Sequence, residues 1–217
     1  MDLQTRASRH LAMGDSRRLA IVDELSSGDR TVTELAQLVG LPSNLVAHHL
    51  EVLESAGLIE RHVSEGDRRR KYVTLRWDRV PLAPTPLVSP ATVAFVCTHN
   101  SARSQFAAAL WHAVTGAEVA SAGTEPSAVI HPKALRVASE HGVDLTGRTP
   151  SGYDTIPWRP DLVISVCDRA LEEGVPEAEK QLHWSVPDPV RVGTLDSFRS
   201  AFGDIAQRIG RLTGSSR

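Results

Sequence analysis

The chain has 217 residues, 41% of them hydrophobic and 23% charged, which argues against bulk disorder and leaves room for two modest cores. A formal net charge of −2, with no basic excess in either half, excludes a global polyanion-binding field and confines any nucleic-acid surface to a local patch. No run approaches a membrane span, MDLQTRASRH lacks the apolar core of a signal peptide, and Cys97 and Cys167 are too few for a disulfide framework or a four-cysteine metal site. The expectation is a cytoplasmic protein with no membrane partner and no bound metal.

In chain order, Asp15 is placed to cap a helix over about Ser16–Leu25, which Ser26-Ser27-Gly28 ends. Thr33–Val39 makes a second short helix, closed by Gly40 in the left-handed terminal position. LPSNLVAHHLEVLESAG then reads as a longer helix, with Pro42 near its start and Gly57 at its stop. Val46, Leu50 and Leu53 recur at i, i+4 and i+7 and face a core, while Asn44, Ala47, His48 and Glu51 lie opposite. LIERHVSEGDRRRKYVTL reads as two strands around a turn at Glu65-Gly66-Asp67, with positive charge gathered at Arg68, Arg69, Arg70 and Lys71. Two short helices, a longer helix and a basic hairpin make a mainly α winged helix-turn-helix. Its outward Ser43, Asn44, Ala47 and His48 suit base edges in a major groove, and its wing suits the adjacent phosphates.

The stretch Ala12–Leu75, through GDSRRLAIVDEL, TVTELAQLVGL and NLVAHHLEVLESAGLIERH, resembles the ArsR-type family of winged-helix repressors. That resemblance implies a homodimer on a palindromic double-stranded DNA operator, with an effector that releases it. Metal-sensing members carry Cys-x-Cys at the start of the second short helix, where this chain has Thr31-Val32-Thr33. Hydroxyls do not replace thiolates for soft arsenic(III). His48 and His49, being adjacent on a helix, point about 100° apart and form no chelate.

Four of the 13 prolines fall in RWDRVPLAPTPLVSPA, residues 76–91. A linker is therefore set at 81–91, between a first domain at 1–80 and a second at 92–217. Beyond it, TVAFVC, SQFAAALWHAVTG, AEVASAG, HPKALRVASEHG, DLVISVCD and TLDSFRSAFGDIAQRIGRL alternate strand with helix. This is the pattern of an α/β domain on a central parallel sheet.

Within FVCTHNSARSQ, the Cys-x5-Arg spacing is weak by itself, and the flanks give it meaning. A strand at 92–97 and a helix beginning near Ala102 or Arg103 make Cys97-Thr98-His99-Asn100-Ser101-Ala102-Arg103 a loop at a helix N-terminus. Unpaired N–H groups and the helix dipole there favour an anion, and favour the thiolate form of a cysteine. Arg103 supplies a planar, bidentate grip on a tetrahedral oxyanion, and Cys97 a nucleophile beneath it.

FVCTHNSARSQFAAALW resembles the anion loop of the low-molecular-weight tyrosine phosphatase superfamily, and more narrowly its arsenate reductase branch. The likeness continues through SAGTEP, HPKALRVASEHGVDLTGRTP, DLVISVC and LHWSVPDPV, over about 120 residues. It implies an oxyanion site (arsenate or phosphate) built from Thr98, His99, Asn100, Ser101, Ala102, Arg103 and Ser104. It also implies Cys97 as nucleophile and Asp188, before Pro189, as general acid, with Asn100 and Ser104 ordering the loop. The phosphatase branch has proline after the Arg-Ser pair and aromatic residues after Asp-Pro; here Gln105 and Val190-Arg191 stand instead. Thioredoxin-linked reductases of the branch carry resolving cysteines where this chain has Ala102 and Gly174, keeping only Cys167, and a potassium site where it has Ala108 and Ser151. The resemblance then implies an external small-thiol reductant of the mycothiol type with its redoxin, and no bound cofactor. Arginine outnumbers lysine 21 to 3, a bias common in the high-GC bacteria, some of which make mycothiol. The expected protein is a DNA-binding regulator fused to a thiol-dependent arsenate reductase. Its rivals are an oxyanion-sensing regulator without turnover and a protein tyrosine phosphatase.

Overall fold

The computed structural model describes residues 2–80 and 90–214, so most of the linker predicted at 81–91 lies outside the described residues. The chain divides into two compact units.

In the first unit, α1 (Leu3–Met13) and α2 (Ser16–Leu25) precede a two-residue strand, β1 (Arg30–Thr31), then α3 (Val32–Val39) and α4 (Ser43–Ser55). The hairpin β2 (Ile59–Val63) and β3 (Lys71–Leu75) follows. Asp15 caps α2 by accepting from the N–H groups of Arg17 and Arg18. Thr31 opens α3 in a reciprocal capping box with Glu34, and Gly40 closes it at φ 65°. The Thr31 hydroxyl is thus committed to a helix end. Val46, Leu50 and Leu53 of α4 are fully buried with Ile21, Leu35, Leu58 and Val73, so the predicted face is the core face.

Two elements exceed the prediction. No stripe announces α1, because its buried residues are only Ala12 and Met13 while Leu3 and Leu11 stay exposed. β1 is too short for any periodicity; it pairs antiparallel with β3, giving the sheet order β1-β3-β2. The wing turn is also wider than Glu65–Asp67: the ladder stops at Val63↔Lys71, leaving Arg68, Arg69 and Arg70 in the turn. Three consecutive arginines offer no apolar alternation for a strand to bury, and like charges side by side oppose pairing.

The second unit runs β4 (Thr92–Cys97), α5 (Arg103–Thr115), β5 (Glu118–Gly123), α6 (Pro132–Glu140) and β6 (Leu162–Ser165). It continues through α7 (Asp168–Glu173), β7 (Lys180–His183), α8 (Pro189–Val192) and α9 (Leu195–Thr213). The sheet is parallel throughout, in the order β5-β4-β6-β7. β4 comes first in the chain yet lies inside, so successive connections leave it in opposite directions. That reversal opens a crevice at its C-terminal end.

Both faces of β4 are covered, which is why TVAFVC is almost continuously apolar. On one side Phe95 packs with Phe106, Trp111, Trp184 and Phe198; on the other Ala94 and Val96 meet Val163 and Tyr153. α5 carries Phe106, Ala107, Ala108 and Trp111 buried on several sides, so it lacks one clean apolar stripe. β7, α7 and α8 were not predicted. KQLH is half exposed at the sheet edge, and the two helices are too short for a period to register. DLVISVCD is also not all strand: β6 ends at Ser165, and Cys167 is the N-cap of α7.

Candidate active site

β4 ends at Cys97, in register with Gly123 of β5. A Cβ at Gly123 would sit 2.5 Å from the Thr98 carbonyl oxygen and 3.0 Å from the Asn100 nitrogen. Only glycine lets the loop lie this close to the sheet. Further bonds fasten the loop from outside: Glu125 N–H to Thr98 O at 2.8 Å, Ser127 N–H to His99 O at 3.0 Å and His131 N–H to Ser101 O at 2.9 Å. Ala102, the N-cap of α5, has no side-chain cap bond, so no side chain competes for the helix's first N–H groups.

Asn100 takes a left-handed φ of 47°, a conformation costing a non-glycine residue about 1–3 kcal/mol. Its side chain is fully buried and its orientation is set by partners of fixed polarity. Ser151 N–H donates to Asn100 Oδ1 at 2.9 Å, and Gln105 Nε2 donates to the same oxygen at 3.0 Å and to the Asn100 carbonyl at 3.2 Å. Asn100 Nδ2 then donates to Ser104 Oγ at 2.8 Å. Ser104 Oγ in turn lies 3.0 Å from Cys97 Sγ, so that its hydroxyl can donate to the thiolate form of the cysteine. Asn100 N–H also donates to the sulfur, at 3.2 Å. These bonds, at about 1 kcal/mol each, offset the backbone strain and aim two donors at one sulfur.

Arg103 is only 6% exposed. Its Nη1 donates to the Val186 carbonyl at 2.8 Å and its Nη2 stands 3.4 Å from Asp188 Oδ2. Burial works against its charge, but the neighbouring Cys167, Asp188 and Cys97 outweigh that and push its pKa up. Asp188 Oδ1 meanwhile accepts from Val190 N–H at 3.0 Å, which fixes the carboxylate at the start of α8. His99 is half-buried at the edge, its Nδ1 donating to the Glu125 carbonyl at 3.0 Å.

The structure therefore brings Cys97, Asn100, Arg103, Ser104 and Asp188 together. Sequence reasoning assigned no role to Gln105 and Gly123, although Gln105 locks Asn100 and Gly123 makes room for the loop. A glutamine directly after Arg-Ser was the available signal for the first; nothing local marks the second. Cys167 lies closer than a strand end implied: its Sγ is 3.4 Å from Thr98 Oγ1 and accepts from Ala170 N–H at 3.4 Å. Burial pushes its thiol pKa up, Arg103 pulls it down less, and Cys97 adds to the rise. Gly174 holds φ 111°, which an L side chain rarely adopts. Ala108 is buried, and Ser151 donates its hydroxyl to the Ser121 carbonyl at 3.3 Å.

In the first unit, Ser43, Asn44 and His48 of α4 are exposed and Ala47 is half-buried. Arg68, Arg69, Arg70 and Lys71 are exposed at the wing. His48 also lines a groove of about 400 Å³ against Leu11 and Ala12 of α1. Among the described residues no group of three or more His, Cys, Asp or Glu side chains could hold a metal ion, and no helix is long and apolar enough to cross a membrane.

Residues 92–216 match the family model for low molecular weight phosphotyrosine protein phosphatase, and residues 15–61 match that for bacterial regulatory protein, arsR family. An arsenate reductase 2 of Staphylococcus saprophyticus is 34% identical over 123 residues, 54% of this chain and 92% of that protein. An arsenate reductase of Halalkalibacterium halodurans is 32% identical over 123 residues, 54% of this chain and 88% of that one. A solved arsenate reductase in the phosphate binding state, 31% identical, superposes with a TM-score of 0.50, covering 57% of this chain and 96% of its own.

Proposed function

We propose that this chain, which belongs to the low molecular weight phosphotyrosine protein phosphatase family, is an ArsR-type DNA-binding regulator fused to a thiol-dependent arsenate reductase. Residues 1–80 are assigned to operator binding as a homodimer and residues 92–217 to the reductase. The observation that carries the catalytic reading is the chain of donors from Gln105 through Asn100 and Ser104 to Cys97 Sγ, with Arg103 and Asp188 3.4 Å apart in the same unit. A structural cysteine needs no such array. The arsenate reductases among the relatives, and Val190-Arg191 after Asp188-Pro189 in place of aromatic residues, support arsenate over an aryl phosphate.

Arsenate is held by the loop N–H groups and the Arg103 guanidinium. The Cys97 thiolate forms a sulfur–arsenic bond while one arsenate oxygen leaves, protonated by Asp188, as water. An external thiol then attacks the adduct. The incoming thiolate bonds to Cys97 Sγ, the sulfur–arsenic bond breaks with its electron pair on arsenic to release arsenic(III), and the mixed disulfide between Cys97 and the thiol is reduced by the redoxin partner. Mycothiol is the assigned thiol because Ala102 and Gly174 leave no complete internal relay. The Thr98–Cys167 contact favours a second reading, in which Cys167 closes a disulfide on Cys97.

Four assays separate the readings. Arsenate turnover with mycothiol and its redoxin is expected in the parent, abolished by Cys97→Ser and largely kept by Cys167→Ser. Full activity with thioredoxin alone, lost on Cys167→Ser, would establish the internal disulfide instead. Hydrolysis of p-nitrophenyl phosphate far faster than arsenate reduction would make the domain a phosphatase, and binding of arsenate without any turnover would make it a sensor.

A further inference from the structure

Beside the site lies a buried acid–imidazole pair that the reaction above does not use. Asp168 is 2% exposed and His183 4%. His183 Nε2 donates to Asp168 Oδ1 at 3.2 Å, and His183 Nδ1 lies 2.8 Å from Ser165 Oγ. The Ser185 hydroxyl donates to the same Asp168 oxygen. Burial alone would raise the carboxyl pKa of Asp168, but its hydrogen bonds, those from His183 and Ser185 foremost, together with the nearby imidazole outweigh it and hold it low. An ionised carboxylate is a poor choice for filling space, since apolar residues of similar volume usually pack as stably or better. Its placement calls for another account.

The bonded residues sit on the segments that matter. Asp168 directly follows Cys167 at the turn from β6 into α7. His183 ends β7, where the ladder stops at Ser165↔His183. Past it, Trp184 N–H still reaches the Ser165 carbonyl at 2.8 Å, and the chain then leaves the sheet. That departing run carries Ser185, Val186 and Asp188. Arg103 holds it at the Val186 carbonyl, and Asp168 holds it at Ser185.

We propose that Asp168 is a positioning residue: through His183 and Ser185 it fixes the run from β7 to α8, and so sets where the Asp188 carboxylate stands. This rests on Asp188 as the general acid. A general acid needs its proton within hydrogen-bond reach of the leaving oxygen, so a shift of about 1 Å costs up to a hundredfold in rate.

The test is a double-mutant cycle in the full chain with Asp168→Ala, Asp188→Asn and their combination. Asp168→Ala is expected to lower kcat for arsenate about 10- to 100-fold with KM changed less than about threefold. Added to Asp188→Asn, it should cost less than about twofold more, because the residue it positions is already disabled. Ser185→Ala, a milder cut of the same link, should act in the same direction and be equally masked by Asp188→Asn. Losses that multiply, or a KM that rises as far as kcat falls, would overturn the proposal. The cycle is repeated with p-nitrophenyl phosphate, so that failure on arsenate alone removes the substrate reading and leaves the positioning tested. Hydrogen exchange of the amides in 184–188 gives a readout free of turnover. It should quicken in Asp168→Ala and Ser185→Ala, and unchanged protection in both would sink the idea.

Discussion

The face proposed for nucleic acid in the first unit and the cysteine loop of the second use polar residues in opposite ways. Ser43, Asn44, His48 and the Arg68–Lys71 wing stand exposed, whereas Thr98, Asn100, Ser101, Arg103 and Ser104 are all buried. A DNA duplex brings its own charge and its own donors and acceptors, so the surface that meets it need only present groups at the right spacing. A thiolate attacking an oxyanion needs donors that are already aimed and dry, since reorganising them during reaction would cost rate. Enclosure is the price of the second task and would defeat the first.

The largest effect should come from breaking the enclosure at its tightest point. Gly123→Ala puts a methyl 2.5 Å from the Thr98 carbonyl and must push the anion loop off β5. Arsenate turnover is expected to fall about a hundredfold or more, with a stability loss of about 1–3 kcal/mol by overpacking. Steady-state kinetics and thermal unfolding of the same protein measure both; wild-type turnover would mean the loop does not depend on that contact. Ser104→Ala is the next largest. It deletes the hydroxyl donor to Cys97 Sγ and strands Asn100 Nδ2, and should lower turnover about ten- to a hundredfold. Rescue by Ser104→Thr is expected, since a threonine hydroxyl can donate along the same line.

On the exposed side the same kind of deletion should act gently and without sequence preference. Changing both Arg68 and Arg70 to alanine should weaken binding to every duplex and flatten the slope of log K against log salt by about one to two units, as two phosphate contacts no longer release counterions. Anisotropy titrations at several salt concentrations read the slope; an unchanged one would remove the wing from the interface. The smallest effect concerns pH. With its pKa raised by burial, the Cys167 thiol stays protonated where an ordinary cysteine, of pKa about 8.5, is already half thiolate. Alkylation of Cys167 in the folded protein should therefore begin only at more alkaline pH than in the denatured chain. Site-resolved mass spectrometry across that range would show this, and equal onset in both states would contradict it.

Elements with strong local signals were readable in advance. Asp15 and Gly40 bound their helices where side-chain acceptors and a left-handed glycine require it, and TVAFVC forms the strand Thr92–Cys97 to the residue. Elements without such signals were not: α1 buries too little, β1 has two residues, and β7 is a half-exposed edge strand. In the site, Cys97 and Arg103, at a strand end and a helix start, could be read from spacing and flanks, whereas Asn100 and Ser104 took their roles from family likeness. Asp188 could be assigned only through family likeness, because nothing in the order of residues places it beside Arg103.

By itself, then, the sequence determined the local matter: the helices and strands with a clear period or cap, the loop between strand end and helix start, and the absence of thiols from the first 96 residues. Those follow from periodicity, capping and composition, which act over a few residues. The tertiary structure decided the rest. It closed Gly123 against Thr98, turned Asn100 onto Ser104 and Ser104 onto the Cys97 sulfur, set Cys167 beside Thr98, and tied Asp168 to Ser185. Each of these joins side chains by distance and direction across separate elements, and direction across a fold is set by how the elements pack, which no local pattern encodes.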